Sequence, residues 1–552
     1  MIRTRLKEII DTVFNKGVEQ GCWSASAAGI YTVEKPKFDG QGDFSTNLAL
    51  IVAGREKRKP RDVAQVLVDL LGDCTLADKV EIAGPGFVNF FVKNEVWQAV
   101  LPQICAAGDD FGPSNVGDGK KVLVEFVSAN PTGPLSIGHG RQAILGDAIS
   151  RLLEATGHAV TREYYYNDAG RQMRVLADSL RARYLELLGE EFEFPEDGYQ
   201  GEYIYDIARD LQAQVGDSLK SETAYEPFQK KAEEAIFADI NGTLARMGIH
   251  FDSYYNEHTL YDDGHIDDVV DKLRDKGLVY EEDGALWFKT TEFGMEKDRV
   301  IIKSTGEPTY RLPDIAYHRE KFKRGFEWMV DIFGADHIAT VPDVMAGMKA
   351  LGYDESLVTV VLHQFVTLLR DGKQVKMSTR KATFITVDEL LTEVGADVVR
   401  FFFLMRKADS QLEFDLDLAK QQSQENPVYY VQYGHARLAS LLRQAEEKGV
   451  KRGALENIDL TQLAEPEEMD LLQAMASFPE LVKNAALDLA PHRIIFYLQE
   501  LAGKFHSYYN KHRVISSDDQ VLSAARLWLV AGLKIVVHNG LSLIGVSAPD
   551  SM

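Results

Sequence analysis

The sequence predicts a multidomain α/β protein, in which a doubly wound parallel sheet lies between an N-terminal α+β module and an all-α C-terminal domain. Three observations predict this architecture. In the middle of the 552-residue chain, short apolar runs alternate with amphipathic helical patterns. A mixed pattern precedes them and ends in a Gly/Asp-rich joint over 108–119. Beyond about residue 405 the apolar spacing is helical to the end.

The central region begins with the run KVLVEFV at 121–127, whose nearly continuous apolar character is typical of a strand buried on both faces. A helix is predicted over 138–156, with Gly157 just beyond its C-terminus. Further strands are predicted at 161–166, 299–303, 328–333 and 358–363, and helices at 315–322 and 341–351. This alternation favours right-handed crossovers and a Rossmann-type domain. The stretch from about 185 to 298 is too long for a connection and is predicted to be an inserted subdomain.

The flanking regions are predicted to be separate domains. Residues 80–92 favour a strand, a Gly-Pro-Gly turn and a second strand within the N-terminal module. Helical spacing predicts an all-α C-terminal domain, with helices at 471–489, 494–509 and 522–543. The predicted domains are therefore 1–110, 111–405 with the insertion, and 406–552.

Charge alone argues against a nucleic-acid partner. The chain has 61 basic and 84 acidic residues and a net charge of −23, whereas a nucleic-acid binder usually shows a basic surface. This balance favours an acidic enzyme with small substrates, so any RNA contact must come from local patches. One candidate patch is the basic run over 55–61, for which a solvated helix end is the alternative interpretation.

Cysteine usage and hydropathy predict a cytoplasmic protein. Cys22, Cys74 and Cys105 are far apart and lack metal-ligand spacing, so neither a disulfide framework nor a structural zinc site is expected. The sequence lacks a run of about 18 apolar residues, so no membrane span is expected. The charged segment 1–15 is interpreted as an ordinary helix and not as a signal peptide.

A Pro/Gly-rich segment, ANPTGPLSIGH at 129–139, lies between the first predicted strand and the first predicted helix of the sheet. This place in a doubly wound sheet binds anions, because helix N–H groups and the helix dipole face it. Pro131, Gly133, Pro134 and Gly138 would hold a tight backbone that lets a phosphate approach. His139 can donate a hydrogen bond to a phosphate oxygen. The alternative is a plain Pro/Gly turn with a histidine near the helix cap.

A second segment, VKMSTRK at 375–381, places Lys376, Arg380 and Lys381 on a short polar loop after a strand. Concentrated positive charge on a loop suits the developing charge of a polyphosphate. The alternative is a basic surface turn.

Together these two segments resemble the paired HIGH and KMSKS signatures of class I aminoacyl-tRNA synthetases, in the same order and with a matching separation. Other segments narrow the resemblance to arginyl-tRNA synthetases and extend it over almost the whole chain. They include GDFSTNLAL (42–50), AGPGFVNF (83–90), EFVSANPTGPL (125–135), EYYYNDAGRQ (163–172), TYRLPDIAYH (309–318), FGADH (333–337) and NPVYYVQYGHAR (426–437).

The resemblance implies an ATP-dependent ligase that activates L-arginine to arginyl-adenylate and transfers it to the 3′ end of tRNA-Arg. It implies that Mg²⁺ accompanies ATP, that zinc is not used, and that activation requires bound tRNA. It further implies that the N-terminal module contacts the tRNA elbow, that the C-terminal domain reads the anticodon, and that the protein is a monomer.

The resemblance also implies which residues form the site. The catalytic residues are His139, Lys376 and Arg380. ATP contacts fall on Pro131, Gly133, Ser136, Gly138, His139, Met377 and Ser378. Arginine contacts fall on Glu125, Ser128, Asn130, His139, Tyr310, Asp314 and His337. A guanidinium is best held by a carboxylate, which fits Asp314. On the residues alone, Asp314 could instead cap the helix at 315–322, and Tyr310 could be a core residue.

Two places depart from the signatures of the family. Ser136 stands where the first histidine of HIGH is usual. Thr379 replaces the second lysine of KMSKS, and Ala382 stands where glycine is common. Loss of that lysine is known within the arginine family, and it leaves open which of the three cations of the loop meets the phosphates.

Two other functions stay open at this point. One is a different class I synthetase, or an adenylyl-transferring relative that does not use tRNA; the helical C-terminal domain argues against the latter. The other is a catalytically inactive tRNA-binding protein. The retained His139 and Lys376 argue against that second possibility.

Overall fold

A computed structural model describes residues 2–38, 40–168, 170–375 and 385–552 of the chain. The N-terminal module is an antiparallel sheet in the order β1-β2-β4-β3, with helices packed on it around a separate apolar core. Its strand–turn–strand prediction is confirmed, with Gly84 and Gly86 at positive φ in the turn. The elements are α1 (Ile2–Glu19), β1 (Val33–Glu34), β2 (Phe44–Thr46), α2 (Leu48–Glu56), α3 (Pro60–Leu71), β3 (Ala77–Ala83), β4 (Phe87–Val92), α4 (Asn94–Gln98) and α5 (Val100–Ala107).

A parallel sheet with helices around it forms the centre of the molecule, as predicted. Its strands lie in the order β12-β11-β5-β6-β7, and every neighbouring pair is parallel. The first half comprises β5 (Lys121–Glu125), α6 (Ile137–Ala155), β6 (Ala159–Tyr166), α7 (Arg171–Leu187), α8 (Glu202–Val215), α9 (Glu226–Arg246) and β7 (Ser253–Asn256). The chain order reverses between β5 and β11. Doubly wound sheets bind ligands at such a place, beyond the carboxyl ends of the strands.

The second half of this region adds a small antiparallel sheet, β10-β9-β8, and a mixed sheet, β14-β13-β15. Its elements are α10 (His258–Asp262), α11 (His265–Asp275), β8 (Val279–Glu282), β9 (Ala285–Phe288), β10 (Arg299–Ile302), α12 (Arg311–Lys323), β11 (Trp328–Gly334), α13 (Val341–Leu351), β12 (Val358–His363), β13 (Val366–Arg370), β14 (Lys373–Gln374), α14 (Val387–Val394), α15 (Ala396–Leu404), β15 (Leu412–Asp415) and α16 (Leu416–Ala419). Helices α10 to α13 share an apolar cluster with β8 to β10. Helix α12 is therefore braced on a core of its own beside the main sheet.

One strand assignment from the sequence is wrong. The run predicted as a parallel strand at 299–303 is β10, which pairs antiparallel with β9 in the small sheet. The fifth parallel strand is β7, inside the stretch predicted as an insertion. Its sequence, SYYN, lacks an aliphatic run because aromatic contacts hold it instead: the Tyr165 and Tyr255 rings stack with centroids 6.3 Å apart.

The C-terminal region is helical, and the three helices predicted there are confirmed within five residues at their ends. Its long helices are α17 (Pro427–Glu447), α18 (Pro466–Leu487), α19 (His492–Lys511) and α20 (Gln520–Leu543). Among the described residues, α20 alone is long and apolar enough to cross a membrane, which the sequence analysis did not anticipate. However, 67% of its apolar window is buried within the protein. Such burial is typical of a core helix.

A glycine in the middle of α6 gives the first prediction. A Cβ at Gly146 would lie 2.1 Å from Cγ of Phe126, so the helix packs on that ring only without a side chain. Gly146→Ala should lower the free energy of unfolding by about 1–3 kcal/mol through overpacking. Gly242→Ala in α9 is the matched control: open space surrounds that position, and better helix propensity should leave the stability equal or higher. Thermal unfolding of both variants checks this, and an unchanged Tm for Gly146→Ala would contradict the packing.

Candidate active site

The chain leaves β5 through two consecutive left-handed residues at the sheet's carboxyl edge. Val127 has φ 68° and Ser128 has φ 42°, a conformation that is costly for a β-branched residue and typical of functional sites. The turn places Ser128 Oγ between two partners. It donates to Glu125 Oε1 at 3.1 Å and accepts from the Tyr165 N–H at 3.1 Å. Ser128 therefore ties the ends of β5 and β6 together at the site.

The Pro/Gly-rich segment ends in a capping box at the start of α6. Ser136 Oγ accepts from the His139 N–H, and His139 Nδ1 accepts from the Ser136 N–H at 3.3 Å. The helix-cap alternative for His139 is thus confirmed, and it does not exclude a role toward a ligand. Because Nδ1 accepts, the proton of the neutral ring lies on Nε2 and can be donated to a phosphate. Burial lowers the pKa of His139, and Asp336 opposes this only in part, so the ring is neutral near pH 7.

The two glycines of this segment have different surroundings. A Cβ on Gly138 would meet only Ser136 Oγ, at 3.7 Å. A Cβ on Gly133 would lie 3.0 Å from the Tyr203 hydroxyl, which donates to the Thr132 carbonyl at 2.6 Å. Helix α8 of the predicted insertion therefore packs directly on this loop.

Further charged groups surround the start of α6. Asp336, after β11, is close enough to influence the pKa of His139. His363, at the end of β12, has its pKa lowered to about 4 by burial, with Arg141 and His139 adding to the effect. Arg141 is buried and donates to the carbonyls of Gln364 at 2.6 Å and Lys407 at 2.9 Å. It anchors α6 to the segments beyond β12, so the position of His139 depends on the whole sheet edge.

The second signature lies at residues 376–384, outside the described residues, and with it Lys376, Met377, Ser378, Thr379, Arg380, Lys381 and Ala382. The residues directly after the second signature contact the first signature at 129–139. Thr386 forms an isolated antiparallel bridge with Ser136, and the Val387 N–H donates to the Leu135 carbonyl at 2.9 Å. The fold therefore brings the chain beyond the second signature against the beginning of α6.

Acidic side chains converge around Tyr165 of β6. Asp314 lies in the first turn of α12, partly exposed, and its pKa is raised to about 7 by burial, with Glu125 and Glu257 adding to the rise. Glu257, directly after β7, accepts from the Tyr165 hydroxyl at 2.9 Å, and burial raises its pKa too. Neighbouring carboxylates disfavour each other's ionisation, and a bound cation would relieve that repulsion. Sequence reasoning missed Glu257, because nothing in its neighbourhood marks the end of a strand.

A buried ionic network lies beneath these acids. Lys321 is fully buried, with Nζ 2.5 Å from Glu125 Oε2 and 2.6 Å from Asp331 Oδ1. Burial opposes its charge, but the two carboxylates outweigh burial and raise the pKa of Lys321. Glu125 thus has both oxygens engaged inside the protein. Burial raises the pKa of Glu125, Lys321 opposes that rise, and neither oxygen is free to meet a ligand.

The remaining residues predicted to contact arginine are more exposed to solvent. Asn130 is exposed and donates to Gln172 Oε1 at 2.8 Å. Tyr310 is 78% exposed, so the core alternative for it is wrong. The cap alternative for Asp314 is also wrong, since α12 begins at Arg311 and not at 315. His337 is exposed in a short helical turn and stacks on Phe333 at 5.3 Å.

The comparisons with known proteins match three regions of the chain. Residues 2–92 match the family described as the arginyl tRNA synthetase N terminal domain, residues 101–401 the catalytic domain of class I (R) tRNA synthetases, and residues 431–552 the DALR anticodon binding domain. An arginine–tRNA ligase of Desulfotalea psychrophila is 65% identical over 553 residues, covering 100% of both chains. The chain belongs to the arginyl-tRNA synthetase family.

Other relatives agree with this assignment. An arginine–tRNA ligase of Citrifermentans bemidjiense is 48% identical, covering 99% of this chain and 100% of the other. The solved arginyl-tRNA synthetases of Thermus thermophilus (TM-score 0.77, 24% identity, 100% of both chains) and Plasmodium falciparum (TM-score 0.73, 17% identity, 100% and 99%) share the fold. The synthetase is a class I enzyme that uses ATP to join arginine to tRNA.

The capping box at α6 of the synthetase generates a prediction. His139→Ala should slow adenylate formation by about 10²–10³, because a donor aimed at transition-state charge is worth about 2.7–4 kcal/mol. Ser136→Ala removes the helix cap, which costs about 1 kcal/mol of stability, and one predicted ATP contact, but it keeps the His139 donor and should slow the step much less. Single-turnover adenylate formation with tRNA bound, together with the Tm of each variant, measures both effects. Near-normal rates for His139→Ala beside a collapse for Ser136→Ala would reverse these roles.

Proposed function

We propose that the guanidinium of arginine binds in the acidic pocket, against Asp314 and Glu257. One observation carries this proposal: Asp314, Glu257 and Glu125 converge around Tyr165. Burial is the largest cause that raises the pKa of Tyr165, and the three acids raise it further. A planar cation with five donors suits carboxylates held by two different elements. Exposed Tyr310, one turn before Asp314, would cover the open side of the guanidinium. Ser128 and Asn130 lie toward the amino-acid end of the substrate.

The chemistry follows from the position of the pocket beside α6. The arginine carboxylate attacks the α-phosphorus of ATP and pyrophosphate leaves. A ribose hydroxyl of the terminal tRNA adenosine then attacks the acyl carbon and AMP leaves. No protein nucleophile is needed, so positioning and charge stabilisation supply the catalysis. His139 Nε2–H and the N-terminus of α6 meet the phosphates, Lys376 and Arg380 add positive charge, and Mg²⁺ enters with ATP as part of the substrate.

We also propose a division of the chain into 1–110, which contacts the tRNA elbow, 111–405, which carries the chemistry, and 406–552, which reads the anticodon. An aromatic surface on the bundle supports the last role. The Tyr429 and Tyr433 rings stack 6.0 Å apart, and the Arg437 guanidinium lies 4.1 Å from the Tyr509 ring centroid. Aromatic faces beside an arginine are a platform for unpaired bases, and they bind through stacking despite the net charge of −23.

We propose a cellular setting from the cysteines and from the burial of α20. We expect a monomer in the cytoplasm that uses no zinc. Three free cysteines suit a reducing compartment, and the burial of α20 suits a protein without a membrane anchor.

ATP–pyrophosphate exchange, measured with each amino acid with and without tRNA, tests the proposal as a whole. Exchange should occur with arginine and only when tRNA is present. Asp314→Asn should then reduce kcat/KM for arginine tenfold to a hundredfold with little change in KM for ATP, because a charge-assisted hydrogen bond is worth about 1.5–3 kcal/mol. Normal arginine kinetics in Asp314→Asn, or a preference for another amino acid, would contradict the assignment of the pocket.

The raised pKa of Asp314 predicts a pH dependence of arginine binding. The empty pocket holds Asp314 with a pKa of about 7, whereas the guanidinium requires the ionised form. Below that pH binding must expel a proton, so the affinity should fall toward tenfold per pH unit; above it, the affinity should level off. The measurement is kcat/KM for arginine from about pH 6 to 9. A profile that stays flat through pH 7 would show that Asp314 is already ionised or does not bind arginine.

A further inference from the structure

A cavity of about 380 Å³ lies between the N-terminal module and the C-terminal helices, outside the candidate active site. Sites for small molecules usually measure about 300–1,000 Å³. One wall comes from α1, β2 and α4 of the module, and the other wall comes from α18 and α19. The cavity therefore has room for one flat ring system of the size of a nucleobase.

Two polar contacts join the walls beside this cavity. Asp43 accepts a hydrogen bond from Gln473 Nε2 of α18 at 3.0 Å, and its other oxygen accepts from the Val92 N–H at 2.7 Å. Arg3 of α1 forms an ion pair with Glu480 of α18. Protein groups alone thus hold the module against the helices, so the cavity is preformed, as ligand sites usually are.

Aromatic rings from both walls line the cavity. The Phe44 and Trp97 rings stack with centroids 6.1 Å apart. Tyr497 lines the cavity from α19, and its hydroxyl donates to the Ala474 carbonyl at 2.9 Å, which fixes the ring. The Trp97 indole N–H is buried and has no acceptor among the described residues, which is rare for a buried donor. Rings held in this way suit stacking against another flat ring.

The charged groups of the cavity nearly balance each other. They comprise three cations and four carboxylates: Arg3, Lys35, Lys504, Asp43, Asp470, Glu480 and Glu500. Arg3 neutralises Glu480, and Lys504 Nζ lies 3.6 Å from Glu500 Oε1. Of the four carboxylates, only Asp470 has neither an ion pair nor a hydrogen bond within the part of the chain that the structure describes. The site therefore suits a nearly neutral ring that donates hydrogen bonds to Asp470.

We propose that this cavity binds one unstacked nucleobase whose exocyclic amino group donates to Asp470. Guanine, adenine and cytosine carry such a group, and uracil does not. The base stacks on the aromatic lining, and exposed Lys35 meets the adjoining phosphate.

Two sources can supply such a base. The wall formed by α18 and α19 belongs to the matched anticodon binding domain, so an unpaired nucleotide of tRNA is the expected source, and a free nucleotide is the alternative. The first source rests on the proposed tRNA contacts of both domains. The preference of the cavity for an amino-bearing base does not rest on them.

A substitution that fills the cavity tests the proposal. Ala474→Leu places a larger side chain in the lining, so the Kd for a tRNA-Arg transcript should rise about tenfold through the loss of one stacked base. Ala238→Leu is the matched control, because Ala238 is exposed on α9 and does not line the cavity. Its Kd should equal that of the wild type. Fluorescence anisotropy measures both values, and the Tm of each variant reports its folding.

Two further arms distinguish the sources. Transcripts with an abasic replacement at each unpaired position should include one that weakens binding to the wild type about tenfold and has no further effect in Ala474→Leu. Equilibrium dialysis with GMP and UMP tests the free nucleotide. Binding of GMP at the ATP site is the same in both proteins, so GMP lost in Ala474→Leu reports the cavity. A loss confined to GMP assigns the cavity to a free nucleotide.

A second variant tests the recognition of the base. The amide of Asp470→Asn can donate as well as accept, so the preference of the cavity for guanine over uracil should disappear. Asp488→Asn is its control, because Asp488 pairs with Arg493 at 2.6 Å and does not line the cavity. This variant also carries the test if Ala474→Leu does not fold.

The outcomes separate the cavity from the proposed function. Unchanged binding of both tRNA and GMP in a folded Ala474→Leu overturns the proposal, and so does a base preference that survives Asp470→Asn. A chain that shows both effects but does not activate arginine would refute the proposed function and leave the cavity assignment standing. Activation of arginine without either effect would refute only the cavity assignment.

Discussion

Three elements meet at one buried ammonium group. Lys321 of α12 lies between Glu125 of β5 and Asp331 of β11, at 2.5 and 2.6 Å, with all three side chains shielded from water. Removing one member of such a group leaves an uncompensated charge in a medium of low dielectric, which is strongly destabilising. The ionic contacts of Lys321, together with apolar packing, therefore fix α12 relative to the parallel sheet. The acidic pocket is built on this junction.

The proposed nucleotide side of the site is connected to the same junction through β5. The strand ends at Glu125, and the left-handed residues Val127 and Ser128 turn the chain toward α6. Such backbone strain survives only where the surroundings determine the conformation fully. Here Ser128 is held by Glu125 and by the Tyr165 N–H. One end of the segment thus lies at the proposed arginine pocket, and the other end lies at the start of α6, where we propose that the phosphates bind.

Much of this could be predicted from residue patterns. The strand at 121–125 and the helices α6, α13 and α20 have strong periodicity, and the motif at 129–139 lies between the first two of these elements as expected. Strand β7 could not be predicted, because SYYN is held by rings from other elements and not by aliphatic periodicity. The wrong placement of β10 in the parallel sheet has the same origin, since a run of three apolar residues does not reveal which strand it pairs with.

The candidate site residues divide in the same way: those within motifs could be named from the sequence, and those placed by tertiary contacts could not. Asp314 and His139 were recognisable through motifs, but Glu257 has no local signal, because its place in the pocket arises from a strand that pattern reasoning did not find. The ionic network was equally hidden. Glu125 was expected to face the substrate, yet tertiary contact with Lys321 turns its oxygens inward. A lysine in a helix rich in charged residues is expected to be exposed. Only the strands packed beneath α12 show that Lys321 is buried.

The proposed arginine pocket contains a carboxylic acid, Asp314, that becomes a carboxylate when arginine binds. Infrared difference spectroscopy of the enzyme with and without arginine, recorded about one unit below the Asp314 midpoint of about 7, observes this directly. The account predicts that arginine binding removes the C=O stretch of one protonated carboxylic acid, and that this change is absent in Asp314→Asn. A spectrum without that loss, or the same loss in Asp314→Asn, would contradict it.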